Sequence, residues 1–229
     1  MATLYLIRHG QASFGKADYD QLSDRGWEQG RVLGRWLAGK VRPSAVFAGD
    51  LKRHQQTFDA IAEGFGAELP ELSQLPGLNE FDHTRVIEAL KPAWADREAM
   101  AQELAGHDHP AKAFQLMFAE AVRRWVSDEN AADYPESWSA FRERVLTALR
   151  QATAAANGGD ILVVSSGGPI AVVMQAVLGL TDDRALALNE VIANTSVTRL
   201  LFSGERMSLS VFNSYEHLEN ESPALVTFR

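Results

Sequence analysis

Where the apolar run Leu4-Tyr5-Leu6-Ile7 stops, the chain places Arg8, His9 and Gly10. A buried strand that ends in a cation, an imidazole and a glycine delivers charged groups to the edge of a sheet, where open α/β folds bind their ligands. A second apolar run, Ile161-Leu162-Val163-Val164, ends in Ser165-Ser166-Gly167-Gly168, with a helix predicted to begin near Pro169. A further arginine, Arg53, falls in the first turn of a helix predicted to be capped by Asp50. If the two apolar runs are neighbouring strands of a parallel sheet, these residues converge. Two guanidiniums, a neutral imidazole and the N–H groups of a helix N-terminus make a pocket for a tetrahedral dianion. An imidazole there can attack phosphorus in line while the arginines hold the equatorial oxygens. The leaving oxygen then needs a proton, for which Glu80 in Leu78-Asn79-Glu80-Phe81 is the first candidate and Asp82 the second.

The elements that must position these groups can be read from capping residues and periodicity. Ser23-Asp24 opens a helix through Trp27, Val32, Leu33, Trp36 and Leu37 that Gly39 closes, and Ala45-Val46-Phe47 is a short strand. After Asp50, Leu51, Phe58, Ile61 and Phe65 recur at helical spacing. Gln11 to Asp20 reads as a loop. Ser137 to Ala156 is an amphipathic helix ended by Asn157-Gly158-Gly159, and the helix after Pro169 gives a helical region up to about Leu188. Val197–202 and Leu209–212 form a terminal hairpin across Ser203-Gly204-Glu205-Arg206. Between about 83 and 135 lie helical stretches over Val86–Leu90 and Ala113–Val126, broken by Pro92 and by Gly106-His107-Asp108-His109-Pro110, which read as a helical cap or insertion. Alternation of strand and helix argues an α/β fold with a parallel sheet covered on both faces, organised as a single domain over residues 1–229.

With 229 residues, 46% of them hydrophobic, the chain can bury a large core. Its 30 acidic against 22 basic residues, a net charge of −8, argue against a nucleic-acid or anionic-membrane partner, so any bound anion must meet a local basic cluster. The absence of cysteine excludes disulfides, thiolate metal sites and a cysteine nucleophile. No apolar stretch approaches the roughly 20 residues that span a bilayer, and Arg8-His9 interrupts the N-terminal apolar run, so a cytoplasmic location is the default expectation. His107-Asp108-His109 reads as an exposed turn with no third ligand, and no metal is assigned there.

In this order and at these spacings, the segments resemble those of the histidine phosphatase superfamily, also called phosphoglycerate mutase-like. Leu6-Ile7-Arg8-His9-Gly10 is similar to its signature, Leu22-Ser23-Asp24-Arg25-Gly26 with Gln29 and Leu33-Gly34 to its first helix, and Asp50-Leu51-Lys52-Arg53 with Gln56-Thr57 to the segment bearing its second arginine. Leu78-Asn79-Glu80 resembles the proton-donor segment, Glu136-Ser137 the start of a later helix, and Asn194-Thr195-Ser196-Val197-Thr198 the final strand. The resemblance implies a three-layer α/β/α sandwich with a mostly parallel central sheet and a helical insertion. It also implies phosphoryl transfer through His9, phosphate held by Arg8, Arg53, Ser166 and Gly167, Glu80 as acid and base, a small phosphorylated substrate, and neither metal nor cofactor. A homo-oligomer is compatible with all of this.

The chain departs from the family pattern at one position of consequence: where Ser-His-Gly-Gly is usual, it has Ser165-Ser166-Gly167-Gly168. Loss of one preorganised donor can cost about 3 to 4 kcal/mol of transition-state stabilisation. His54, His83 and His217 are the histidines that could supply the missing imidazole from elsewhere, His83 being nearest Glu80 in sequence. Ala48-Gly49, where hydroxyl residues are frequent, is a smaller departure. The leading expectation is a phosphomonoester hydrolase. The alternatives are a catalytically slow phospholigand-binding module, a phosphoglycerate-type mutase lacking a basic cluster beyond Arg123-Arg124, and a serine hydrolase built on Ser166, Asp183 and His217. The last lacks the glycine two residues before the serine, where Val164 stands.

Overall fold

Leu4, Leu6 and Ile7 are almost wholly buried, and their strand is the one around which the rest is arranged. In the computed structural model, which describes residues 1–13 and 20–228, part of the loop expected over Gln11 to Asp20 lies outside the described residues. The chain divides into two compact units, Met1–Glu80 with Arg144–Arg229, and Phe81–Glu143. In chain order the elements are β1 (Ala2–Arg8), α1 (Asp24–Leu37), β2 (Ala45–Ala48), α2 (Lys52–Phe65), β3 (Leu72–Gln74), α3 (His83–Leu90), α4 (Arg97–Ala105) and α5 (Pro110–Val126). They continue with α6 (Trp138–Ala155), β4 (Ile161–Ser165), α7 (Gly167–Leu178), α8 (Asp182–Val191), β5 (Val197–Ser203), β6 (Arg206–Ser214) and α9 (Glu216–Glu221).

The first unit contains one six-stranded sheet in the order β3-β2-β4-β1-β5-β6. β3, β2, β4 and β1 run parallel, β5 joins the β1 edge antiparallel and β6 pairs antiparallel with β5, so the sheet is mixed although most of it is parallel. The two apolar runs are indeed neighbours, with Leu4 opposite Ile161 and Arg8 opposite Ser165. All five residues of β4 are buried, as a strand covered on both faces requires. Tyr5, Ile7, Val46, Leu162 and Val164 join Leu33 and Leu37 of α1 and Ile61 of α2 in one hydrophobic cluster. Deleting a side chain such as Leu33, fully buried there, would cost about 3 kcal/mol through lost transfer energy and the cavity left behind.

Local chemistry sets most boundaries. Ser23 caps α1 by accepting from Gly26 N at 3.1 Å. Gly10 and Gly26 face each other at the end of β1, where a Cβ on Gly10 would stand 2.6 Å from the Gly26 carbonyl oxygen. Asn157 and Gly158 take positive φ values of 48° and 81° after α6, and Gly179 at 66° separates α7 from α8. The expectation for Asp50 is corrected: the N-cap of α2 is Leu51, with no side-chain cap bond, and Asp50 instead exchanges hydrogen bonds with Asn79. The first turn of α2 is served by Asp20, whose Oδ2 accepts from Lys52 N at 2.9 Å. α7 starts at Gly167, two residues before Pro169.

The second unit is helical. Asp82 caps α3 by accepting from Thr84 N and Arg85 N, and Pro110 is the first residue of α5, where its missing N–H costs nothing. Its core is aromatic: Trp125 packs edge-on to Trp138 at 5.2 Å and against Phe81 at 4.7 Å, with Phe141 beside all three. Among the described residues no helix is long and apolar enough to cross a membrane.

Candidate active site

The C-terminal ends of β1 and β4 and the N-termini of α2 and α7 carry the residues singled out above. His9 follows β1, its N–H donating to Ser165 O at 2.8 Å, which fixes it alongside the first residues after β4. Its Nδ1 lies 2.7 Å from Gly10 O. A carbonyl can only accept, so Nδ1 carries the proton and Nε2 keeps its lone pair. The ring is 8% exposed. Burial first, then Arg53, Arg8 and His54, hold its pKa well below the usual histidine value, against a weaker opposing effect of the Gly10 carbonyl. At neutral pH His9 is therefore an uncharged imidazole whose Nε2 has no hydrogen-bond partner among the described residues.

The backbone around it is secured from several directions. Gly10 N donates to Thr57 Oγ1 at 3.0 Å, and Thr57 Oγ1 donates to Arg53 O at 2.6 Å, so one hydroxyl links the strand end to the first turn of α2. Asn194 Nδ2 donates to His9 O and Thr195 N to Arg8 O, each at 3.0 Å. Thr195 holds φ at 55°, an unusual conformation for a β-branched residue, directly beside the strand end that it supports.

Arg53 reaches the same region from α2. Its Nη1 donates to Asp20 Oδ1 at 2.6 Å, and its Nε is buried with no hydrogen-bond partner among the described residues. Arg8 donates through Nη1 to the carbonyls of Ile192 and Phe228. Both guanidiniums act electrostatically on His9, and one of them, Arg53, is ion-paired to Asp20. The Glu80 segment is held at the end of β4 by Ser165 Oγ, which donates to Leu78 O at 2.6 Å, and by Arg144 Nη1, which donates to Gly77 O and Asn79 O. Glu80 Oε2 accepts from Gly168 N at 3.1 Å, at the N-terminus of α7 beside Gly167.

Ser166 is fully buried, and its Oγ lies 2.8 Å from Nε2 of His54, also fully buried. Of the three histidines considered for the missing imidazole, His54 is the one packed on His9, with ring centroids 5.7 Å apart. His217 is bonded instead to Thr195 Oγ1 at 3.4 Å with its ring tilted against Trp36, and His83 is exposed at the start of α3. The serine-hydrolase grouping is not assembled, since Ser166 pairs with His54, His217 with Thr195, and Asp183 is exposed. Between the two carboxyls, Asp82 is engaged as the cap of α3 and Glu80 meets the α7 N-terminus. Asp20, Thr57 and Asn194 were not singled out for a role from sequence. Thr57 falls three residues and one helical turn beyond His54, a spacing that could have marked it; Asp20 and Asn194 are separated from their partners by 33 and 185 residues and carry no local signal.

Residues 4–215 match the histidine phosphatase superfamily (branch 1), and the chain belongs to that family. It is 27% identical over 174 residues, 72% of its length, to a metal-independent phosphoserine phosphatase of Arabidopsis thaliana, of which it spans 64%. It is 26% identical over 229 residues to phosphoglycerate mutase-like protein 4 of the same plant, covering 95% of this chain and 87% of that one. Among solved structures, a putative α-ribazole-5′-P phosphatase from Escherichia coli shares the fold with a TM-score of 0.64 at 21% identity, covering 93% of this chain and 96% of that one.

Proposed function

We infer that the chain is a metal-independent phosphomonoester hydrolase acting through a phosphohistidine on His9. The observation that carries this reading is the state of His9: uncharged, its Nδ1 proton held by Gly10 O, its Nε2 lone pair unpartnered among the described residues. In the first step Nε2 forms a bond to phosphorus as the ester P–O bond breaks, and the departing oxygen takes a proton from Glu80. In the second, the Glu80 carboxylate takes a proton from water, whose oxygen attacks the phosphohistidine and releases inorganic phosphate and neutral His9. Arg8 and Arg53 neutralise the equatorial oxygens in both steps, with Gly167 and Ser166 at the α7 N-terminus completing the pocket. A metal would bring charge that two guanidiniums already bring here. The relative named as a metal-independent phosphoserine phosphatase supports a small phosphorylated substrate and makes phosphoserine an early choice of ester.

The test is hydrolysis of p-nitrophenyl phosphate and phosphoserine in the presence of EDTA by the parent chain and by His9→Ala. Turnover by the parent that disappears in His9→Ala is expected. A parent that binds phosphate without turnover would replace this reading with that of a phospholigand-binding protein.

A further inference from the structure

His54 follows Arg53 on α2, lies entirely inside the protein, and takes no part in the two steps above. Its surroundings are built for it. A Cβ on Gly49 would meet His54 Nδ1 and Asn79 Oδ1 closer than real carbon contacts allow, so this position has to be glycine for the imidazole to sit there. Ser166 is the N-cap of α7, yet it makes no capping hydrogen bond. The reason is local: the Gly168 N–H is already given to Glu80, and Pro169 has no N–H to give. The serine oxygen is thereby left for His54, 2.8 Å away.

Nε2 of His54 and Ser166 Oγ share one hydrogen bond, while Nδ1 lies on the side of the Gly49 backbone. Burial and the neighbouring Arg53 keep the ring uncharged, with the Gly49 backbone opposing them, so His54 adds no third positive charge next to His9.

We propose that His54 is a positioning residue for phosphoryl transfer at His9. Through its hydrogen bond with Ser166 it ties the helix that carries Arg53 to the helix N-terminus that holds Glu80, and it places behind the nucleophile the imidazole that Ser165-Ser166-Gly167-Gly168 lacks. The three positions concerned, Gly49, His54 and Ser166, lie up to 117 residues apart (166 − 49) and meet at one point. Since His54 is fully buried, it acts through Ser166, His9 and Arg53 and does not touch the phosphate. The proposal rests on the reading of His9 as nucleophile.

The test measures kcat and KM for p-nitrophenyl phosphate with the parent, His54→Leu, His54→Gln, Ser166→His and the double variant His54→Ala/Ser166→His, each first checked for a cooperative thermal transition. A misplaced reacting group costs up to about 100-fold, so His54→Leu should lower kcat roughly 30- to 100-fold with KM within about threefold. His54→Gln, whose amide can hydrogen-bond the same hydroxyl, should recover most of that loss. The double variant should outperform Ser166→His, in which two imidazoles compete for one space. Parent-like kcat in His54→Leu, or equal damage in the Leu and Gln variants, overturns the proposal. If His54→Leu does not fold, the last comparison decides alone, and equal rates for Ser166→His and the double variant overturn it. An inactive parent removes the reading of His9 itself, a failure distinct from an active parent indifferent to His54.

Discussion

Replacing His217 by glutamine should remove a definable part of the acid sensitivity of the fold. His217 is 4% exposed on α9, with Nε2 near Thr195 Oγ1 and its ring 5.8 Å from that of Trp36. Burial, helped by the charge of Lys40, lowers its pKa to about 4 from an ordinary value of 6.5. Because the folded pKa is depressed, the unfolded state binds the proton first as pH falls. Stability is complete above pH 6.5 and is lost between there and about 4. At pH 4.5 the unfolded imidazole is almost fully protonated and the folded one mostly not, a difference of about 2.5 kcal/mol relative to pH 7.5. Glutamine can keep a hydrogen bond to Thr195 and cannot take up a proton. Urea unfolding at pH 7.5 and 4.5 should show the parent losing about 2.5 kcal/mol more than His217→Gln. Equal losses, to within about 0.5 kcal/mol, would refute the assignment of a buried neutral imidazole. The consequence extends to function, because Thr195 supports the backbone of Arg8 from a strained conformation.

Two further outcomes follow from the candidate site. Glu80→Gln removes the proposed donor for the leaving oxygen, so kcat/KM, which reports the step that breaks the ester bond, should fall roughly 100-fold or more for an alkyl phosphate such as phosphoserine and far less for p-nitrophenyl phosphate, whose leaving group needs no proton. Equal losses of kcat/KM on both esters would remove Glu80 from that role. Since the pKa of His9 lies well below the usual histidine value, the proposed nucleophile stays uncharged as pH falls through 6.5. The acid limb of kcat/KM should therefore lie below pH 6.5, and a rate that halves at 6.5 would contradict the buried, arginine-flanked state of His9.

How much of this could be read from the chain depends on the range of the interactions involved. The ends of β1 and β4 were legible because a buried strand writes itself as a run of apolar residues, and the residues after it must then lie at the sheet edge. α1, α6 and the β5–β6 hairpin were legible from Ser23, Asn157-Gly158 and the Gly204 turn. β3 was not, since its three residues offer only Leu72 as a partly buried side chain. Nor was α4, which buries no residue and so shows no apolar stripe. Asp50 was read as a cap because an acidic residue before a helix usually is one, whereas the helix end is served by Asp20, 32 residues away. The site divides in the same way. His9, Arg8, Arg53 and Glu80 stand in short recognisable segments, while the pairing of His54 with Ser166 spans 112 residues. The absence of a histidine after β4 could be read from sequence; the position of the imidazole packed on His9 required the fold.

The central claim is tested most directly by trapping the intermediate. The parent chain and His9→Ala are mixed briefly with a radiolabelled phosphomonoester and quenched in base, where a phosphoryl–imidazole bond survives and an acyl phosphate does not. The account predicts acid-labile label on the peptide that contains His9, lost in His9→Ala and discharged as inorganic phosphate when the native protein is left in water. Turnover with no label on that peptide, or with label on another residue, would contradict it.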